Sequence, residues 1–269
     1  MQFFSIRRWF KIQATFFACL GLFTQSNIPA APGEIVPVFR AMLQPDDLPF
    51  SMAVQNDGKL IVGSNAPRLF RLNADGGLDV SFKASALPLV SVCKVQLTVD
   101  GKILVNGISS LDNTTRTLIR LTPDGALDTT FNPEFVARGE RVLAFAPQPD
   151  GSVAYHAIVV QGTKLISSYI KRVRGDGSTD PTFQSVEVEN VYDLLNTGDG
   201  AILAGGSFTE VNGQPASRLI RLSKDGLLLA ASSLTFSASN NFVPLFYSIA
   251  EESGGKIVVG GVFDEIAVK

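Results

Sequence analysis

Apolar residues in this chain come in short runs that alternate with polar turns. Val92–Thr98 alternates between apolar and polar positions, and Lys102–Val105 is an apolar run that ends at Asn106-Gly107. After a polar loop, two further candidate strands, Thr117–Leu121 and Ala126–Phe131, lie on either side of a Pro-Asp-Gly turn. Alternation with a period of two is typical of half-buried strands, and Asp-Gly between apolar runs favours a hairpin. No stretch after residue 26 has helical periodicity, so the pattern predicts an all-β protein.

Two turns recur along the chain and define a repeat. The first turn is Asp-Gly in four copies and Gly-Gly in the fifth, at Asp57, Asp100, Asp150, Asp199 and Gly254. The second turn is Asp-Gly, with its glycine at Gly76, Gly125, Gly177 and Gly226. These second glycines are 49, 52 and 49 residues apart. A period of this length is typical of a propeller or another repeat array, and each unit is long enough for four strands.

Three side chains accompany the second turn. An arginine lies four residues before the turn aspartate, at Arg71, Arg120, Arg172 and Arg221. An aspartate and then a phenylalanine follow the turn, at Asp79, Asp128 and Asp180 and at Phe82, Phe131 and Phe183. Because the arginine and the aspartate lie on facing strands of one hairpin, we expect them to meet. We expect each phenylalanine to be buried against the next repeat. In the fourth repeat, Leu229 replaces the aspartate and Ser232 replaces the phenylalanine.

The repeated motif resembles a known family. The run from Arg71 to Phe82 reads Arg-Leu-x-x-Asp-Gly-x-Leu-Asp-x-x-Phe, and Gly205-Gly206-Ser207-Phe208 and Gly260-Gly261-Val262-Phe263 supply a second motif. Together these motifs resemble the delta-60 repeat family of bacterial β-propeller proteins, over about residues 33–269. The resemblance implies a four-stranded antiparallel blade per repeat, and it implies no settled chemistry.

The ends of the chain suggest how a propeller could close. A lone strand, Glu34–Met42, follows Gly33, and Ile266–Lys269 has the position of a third strand in the last repeat. If the N-terminal strand completes the last blade, five blades close and no sheet edge stays exposed. A monomer is then expected. The alternative is that the chain is a fragment of a larger propeller.

The first 26 residues predict secretion. Arg7, Arg8 and Lys11 precede the apolar run Ala14–Phe23, and small residues follow, which is the order of a secretory signal peptide. We therefore divide the chain into a signal peptide (1–26), a linker (27–32) and one propeller domain (33–269), located outside the cytoplasm or in a bacterial cell envelope. No later segment is long and apolar enough to span a membrane.

Charge and composition exclude several classes of ligand. Removal of the leader leaves 20 Lys and Arg against 25 Asp and Glu, a net charge of −5 without a basic cluster. Nucleic acid, which needs clustered cations, is therefore not expected as a partner. Cys93 and His156 are the only cysteine and histidine after the leader. A disulfide, a metal site and a cofactor are accordingly not expected, and His156 is interpreted as a packing residue.

Two functions fit this pattern. The first is a non-catalytic binding module without catalytic residues, which would recognise a protein or a glycan through its variable loops. The candidate residues lie in the polar loop Thr209–Ser217, namely Thr209, Glu210, Asn212 and Gln214. The alternative is a secreted, carboxylate-dependent hydrolase or lyase. Its acid–base pair would come from the carboxylates that the turns do not use, Glu187, Glu189, Asp193, Glu251 and Glu252.

Overall fold

The computed structural model describes residues 48–64, 69–84, 87–110, 116–135, 138–231, 234–237, 245–252, 254–263 and 265–268. Within these ranges every regular element is a β-strand and the strands pair in antiparallel fashion, which confirms the predicted fold class. No helix among the described residues is long and apolar enough to cross a membrane. The predicted leader, the linker and the strand Glu34–Met42 lie outside the described residues.

Each of the first four repeats forms one sheet whose strands follow the sequence order. The first blade contains β1 (Pro49–Val54), β2 (Leu60–Ser64) and β3 (Leu69–Leu72), and the second contains β4 (Leu89–Leu97), β5 (Ile103–Ser109) and β6 (Arg116–Leu121). The third contains β7 (Glu140–Pro147), β8 (Val153–Gln161), β9 (Lys164–Val173) and β10 (Val186–Glu187).

The fourth blade has an inserted hairpin. Its sheet consists of β11 (Val191–Asn196), β12 (Ile202–Gly206), β15 (Leu219–Leu222) and β16 (Leu228–Ala231), and the inserted hairpin of β13 (Glu210–Val211) and β14 (Gln214–Pro215). The last repeat supplies β18 (Leu245–Glu252), β19 (Lys256–Val262) and β20 (Glu265–Val268). The segment β17 (Leu234–Ser237) pairs with β20, a pairing that the sequence did not predict.

The fourth strand of the first three blades is shorter than predicted. Beyond the second turn, the chain pairs with the third strand through a single β-bridge. In the first blade this bridge joins Leu72 and Leu78, and the Asp79 N–H donates a hydrogen bond to the Arg71 carbonyl. The Asp79 carboxylate then accepts the N–H and the hydroxyl of Ser81, at 3.0 and 2.6 Å. This side-chain turn bends the backbone away from its neighbour and ends the strand.

The described residues fall into two compact units. One unit holds 48–110 and 119–128, and the other holds 116–118 and the described residues from 129 onward. In the second unit the largest core cluster lies between the third and fourth blades and includes Ile170, Val186, Leu194, Ile202 and Phe208. Each of these side chains contributes roughly 1.5–3 kcal/mol when it is fully buried. The faces between blades therefore form the core of that unit.

The first strand of each blade has a β-bulge in one shared position. In each first strand, the residue seven positions before the first turn has no partner on the second strand. The skipped residues are Phe50, Cys93, Leu143, Tyr192 and Tyr247. A Cβ added to Gly206 would overlap the Asn190 carbonyl, and one added to Gly107 would overlap the Ser91 carbonyl. Glycine thus lets the bulged strand approach the second strand closely.

Candidate functional site

Two of the repeated arginines, Arg71 and Arg172, donate to a backbone carbonyl of the next blade. Arg71 donates from Nε to Asp79 Oδ2 at 2.8 Å and from Nη1 to the Pro123 carbonyl of the next blade at 2.9 Å. Arg172 donates from Nε to Asp180 at the same distance, and Arg120 does so to Asp128. Because these guanidinium groups are buried and satisfied, they form a structural network rather than a site for a ligand.

The repeated phenylalanines pack on the second turn of the following blade. A Cβ added to Gly125 would lie 2.7 Å from the Phe82 ring, and one added to Gly226 would lie 3.0 Å from the Phe183 ring. The Arg172 guanidinium lies 5.2 Å above the centre of the Phe183 ring. The turn glycine therefore serves the hairpin and also leaves space for the ring. Phe131 is likewise buried.

The fourth blade shows what happens when the aspartate is missing. Leu229 stands at that position, and Arg221 pairs instead with Asp199 of its own first turn. This pair is solvent-accessible, with 38% of the arginine side chain and 61% of the aspartate side chain exposed. Arg221 therefore lacks the buried environment of Arg172, whose side chain is 6% exposed.

The predicted binding loop is a fixed hairpin. Asn212 accepts the Glu187 N–H on its side-chain oxygen and donates its own N–H to the Glu187 carbonyl, both at 2.8 Å. Val211 is buried in the core between the third and fourth blades. Thr209, Glu210 and Gln214 are exposed. All four candidate residues are therefore exposed, and Asn212 is in addition hydrogen-bonded to the backbone of Glu187.

The carboxylates of the alternative hypothesis have different surroundings. Asp193 is buried, and its Oδ2 accepts the Ile249 N–H at 2.7 Å. Glu251 accepts the Gly198 N–H at 2.7 Å. Glu187, Glu189 and Glu252 are exposed. Two of the five carboxylates thus accept a hydrogen bond from the backbone of a neighbouring blade.

His156 is buried between blades. Its Nε2 lies 3.0 Å from the Ser168 hydroxyl, and that hydroxyl donates to the Val188 carbonyl at 2.7 Å. Nε2 therefore carries the hydrogen and donates to Ser168, which is the reverse of what a general base needs. Burial lowers the pKa of the imidazole to about 4. The arrangement is a packing contact and not a nucleophile pair.

Glu140 is the centre of a buried polar cluster that the sequence analysis missed. It starts β7, is 3% exposed, and accepts the Tyr155 hydroxyl at 3.1 Å. Tyr169 is the second phenol whose pKa Glu140 raises. Arg138 and Lys171 lie 3.3 and 3.7 Å from its Oε1. A buried carboxylate thus has two phenols and two cations around it, and the two cations remain partly exposed.

The phenols in this cluster are hydrogen donors. Burial, and then the charge of Glu140, raise the pKa of Tyr155 above its usual range. Burial and the hydrogen bond to Glu140 likewise raise the pKa of Tyr169. Both hydroxyls are therefore protonated at neutral pH, and that of Tyr155 donates its hydrogen to the carboxylate.

A signal for this cluster was present in the repeat. Tyr155 lies five residues after the first-turn aspartate, where the other blades carry an apolar residue: Val62, Val105, Ala204 and Val259. Lys171 precedes the repeated arginine, where the other blades have Phe70, Ile119 and Ile220. Only the third blade replaces apolar residues with polar ones in both positions. A buried polar network costs free energy unless it is fully satisfied. The third blade nevertheless has polar residues where the other blades have apolar ones, and we therefore regard the Glu140 cluster as a candidate site.

A second feature lies at the bulges of β11 and β18. Tyr192 and Tyr247 are the bulged residues, and they are 39% and 58% exposed. Their ring centres are 5.9 Å apart with an angle of 38° between the planes. Bulges often redirect a side chain beside a binding or active site. Among the described residues no group of three His, Cys, Asp or Glu side chains could hold a metal ion.

Comparison with known proteins supports the propeller fold. Residues 55–82, 100–131 and 197–228 match the family described as a beta-propeller domain of unknown function, DUF5122. This supports a propeller-repeat family, the coarser form of the resemblance given above. No curated protein matches the chain.

Several solved structures share the fold. A candidate gluconolactonase has a TM-score of 0.50 at 16% identity, with 83% of this chain and 74% of that chain covered. A GH74 xyloglucanase from Xanthomonas campestris has a TM-score of 0.51 at 15% identity, with 80% and 35% covered. Regucalcin from Agrobacterium tumefaciens, a calcium-binding protein, has a TM-score of 0.50 at 19% identity, with 78% and 66% covered.

These similarities correct the functional prediction. The solved structures that resemble the chain include two named as enzymes, a candidate gluconolactonase and a xyloglucanase. The predictions of a non-catalytic module and of no enzyme activity were therefore wrong. The sequence missed this because the shared repeat residues are all structural. At these identities the likeness itself shows the fold, and the activity is a separate proposal.

Proposed function

We propose that the chain is a carboxylate-dependent hydrolase on a propeller scaffold, with Glu140 as its acid–base group. The observation that carries the proposal is the Glu140 cluster, in which two phenols and two cations meet one buried carboxylate. The names of two structural neighbours refer to a sugar lactone and a glucan. We therefore propose sugar-derived esters or glycosides as substrates.

The cluster supplies the groups that ester hydrolysis requires. Water attacks the acyl carbon of a lactone while Glu140 takes a proton from that water. Lys171 and Arg138 stabilise the negative charge that develops on the carbonyl oxygen. Glu140 then returns the proton to the ring oxygen as the carbon–oxygen bond breaks, and a hydroxy acid leaves. Tyr155 holds the carboxylate in place through its hydroxyl.

Two further inferences complete the proposal. We infer that the repeats are of the delta-60 type, because the run from Arg71 to Phe82 carries the full motif. We also infer that the enzyme is secreted or located in a bacterial cell envelope, because basic, apolar and small residues follow one another in residues 1–26.

The test uses Glu140→Gln, which keeps the shape and removes the titratable group. With δ-gluconolactone and a xyloglucan oligosaccharide as substrates, we expect kcat/KM to fall about 100-fold or more for whichever substrate the wild type hydrolyses. Glu189→Gln is the matched control, because Glu189 also lies ten residues before a first-turn aspartate and is exposed. Its activity should equal that of the wild type.

Two outcomes would overturn the assignment. If the wild type, with the thermal stability of a folded protein, turns over neither substrate, the proposed substrate class is wrong. If Glu140→Gln keeps more than half of the wild-type activity, Glu140 is not the acid–base group.

A further inference from the structure

The four tyrosines of the chain form two pairs. Tyr155 and Tyr169 belong to the Glu140 cluster, while Tyr192 and Tyr247 meet each other on the first strands of the fourth and last blades. The proposed hydrolase chemistry uses only the first pair. The second pair is exposed at two equivalent bulges, and the same position holds Cys93 and Leu143 in two other blades.

The orientation of Tyr192 is set by a chain of contacts. Its hydroxyl lies 3.1 Å from the Ser207 hydroxyl. The Ser207 N–H donates to the Asn190 carbonyl at 3.1 Å. Asn190 is one of only two described residues other than glycine with a positive φ, at 53°. Such strained backbone is uncommon and is found often at ligand sites. The ring is therefore held in place before any ligand arrives.

The size of the pair limits what it can bind. A stable protein interface buries about 800 Å² on each partner. A tyrosine buries about 150–250 Å² even when it is fully covered, so two partly exposed rings provide much less than an interface needs. A ligand of the size of a single ring matches this area.

The chemistry of the pair favours a neutral sugar. A pyranose has one face of C–H groups, which can stack on an aromatic ring, and a rim of hydroxyls that need polar partners. Tyrosine offers both an apolar ring and a polar tip, and Ser207 adds a second hydroxyl beside it. The contacts that position Tyr192 are uncharged, so they provide no counter-charge for an anionic ligand.

We propose that Tyr192 and Tyr247 form a binding subsite for a neutral saccharide ring. The subsite goes beyond the proposed activity, because it lies on other blades than the Glu140 cluster and needs no catalytic group. It binds by stacking, and Ser207 and Asn190 fix the ring of Tyr192.

The experiment follows the four tyrosine rings directly. The full chain is labelled with ¹³C-tyrosine, its ring signals are assigned through Tyr→Phe variants, and cellohexaose is added as the probe. We expect the signals of Tyr192 and Tyr247 to shift in a saturable manner. We expect Tyr192→Ala and Tyr247→Ala each to weaken Kd at least 10-fold, whereas Tyr192→Phe, which keeps the ring, should weaken it by less than 5-fold.

Cys93→Ala is the matched control, because Cys93 holds the same bulge position in the second blade and cannot stack. Its Kd should equal that of the wild type.

The proposal is overturned if neither signal shifts at millimolar cellohexaose, or if both alanine variants bind like the wild type. Tyr247→Ala guards against misfolding of the first variant, since Tyr247 is the more exposed ring. The titration is repeated with Glu140→Gln, so that loss of turnover and loss of binding are separated.

Discussion

The hairpins around the second turn and the first strands of the blades differ in what recurs from one blade to the next. In the hairpins the same side chains recur and make the same contacts, as Arg71 with Asp79 and Arg172 with Asp180 show. At the bulges the backbone recurs while the side chain changes from blade to blade. A buried guanidinium must be satisfied in every copy, whereas an exposed or half-buried bulge residue is free to vary. Ligand sites in this protein are therefore expected where the backbone repeats and the side chains differ.

The largest effect should come from breaking a hairpin network. Arg172→Ala leaves the Asp180 carboxylate buried without its partner, so we expect a loss of about 3–5 kcal/mol in the free energy of unfolding. Arg221→Ala removes an exposed pair and should cost no more than about 1 kcal/mol. Urea unfolding of both variants measures the contrast. Equal losses would show that the buried and exposed arginines do not differ as the structure indicates.

An intermediate effect should appear at His156 as the pH falls. Its pKa is lowered to about 4 by burial, from an ordinary value of about 6.5, so folding favours the neutral imidazole. The stabilisation is complete above pH 6.5 and is lost as the pH falls toward 4, by about 3 kcal/mol in all. Urea unfolding of the wild type and of His156→Gln between pH 7 and pH 4 tests this. A constant difference between the two proteins would contradict the buried, neutral state.

The smallest effect on stability should come from a bulge position. Tyr192→Phe removes the partly exposed contact with Ser207, and it should change the free energy of unfolding by about 1 kcal/mol or less. Thermal unfolding gives the value. A loss above 2 kcal/mol would mean that the bulge side chain is as constrained as the hairpin residues, and the contrast between the two regions would fail.

Much of the fold could be predicted because its causes are local. The turn glycines have positive φ, as at Gly76 and Gly125 with 90° and 93°, and the alternating strands follow from a period of two. The prediction overestimated the fourth strand, because the side-chain turn at Asp79 and Ser81 ends it early. The N-terminal strand and the closure of the propeller stay predictions, since Glu34–Met42 lies outside the described residues.

The candidate site could not be predicted in the same way. Asp193 was counted among the unconstrained carboxylates, but it accepts an N–H from Ile249, 56 residues away. The contact of Asn212 with the Glu187 N–H, 25 residues away, was likewise not visible in the sequence. Glu140 was not singled out, although Tyr155 and Lys171 broke the apolar pattern of their positions. Each of these outcomes depends on which strands become neighbours and in what register.

The sequence by itself determined the repeat, the turns and the residues that build each hairpin, because these depend on contacts within about 30 residues. Only the tertiary structure decided that the first strands are bulged, that Tyr192 meets Tyr247, and that Glu140 gathers two phenols and two cations. The physical reason is that a bulge is a mismatch between two paired strands, and the direction of its side chain is set by that pairing. A local pattern shows which residues are unusual, and the packing of the blades decides which of them meet.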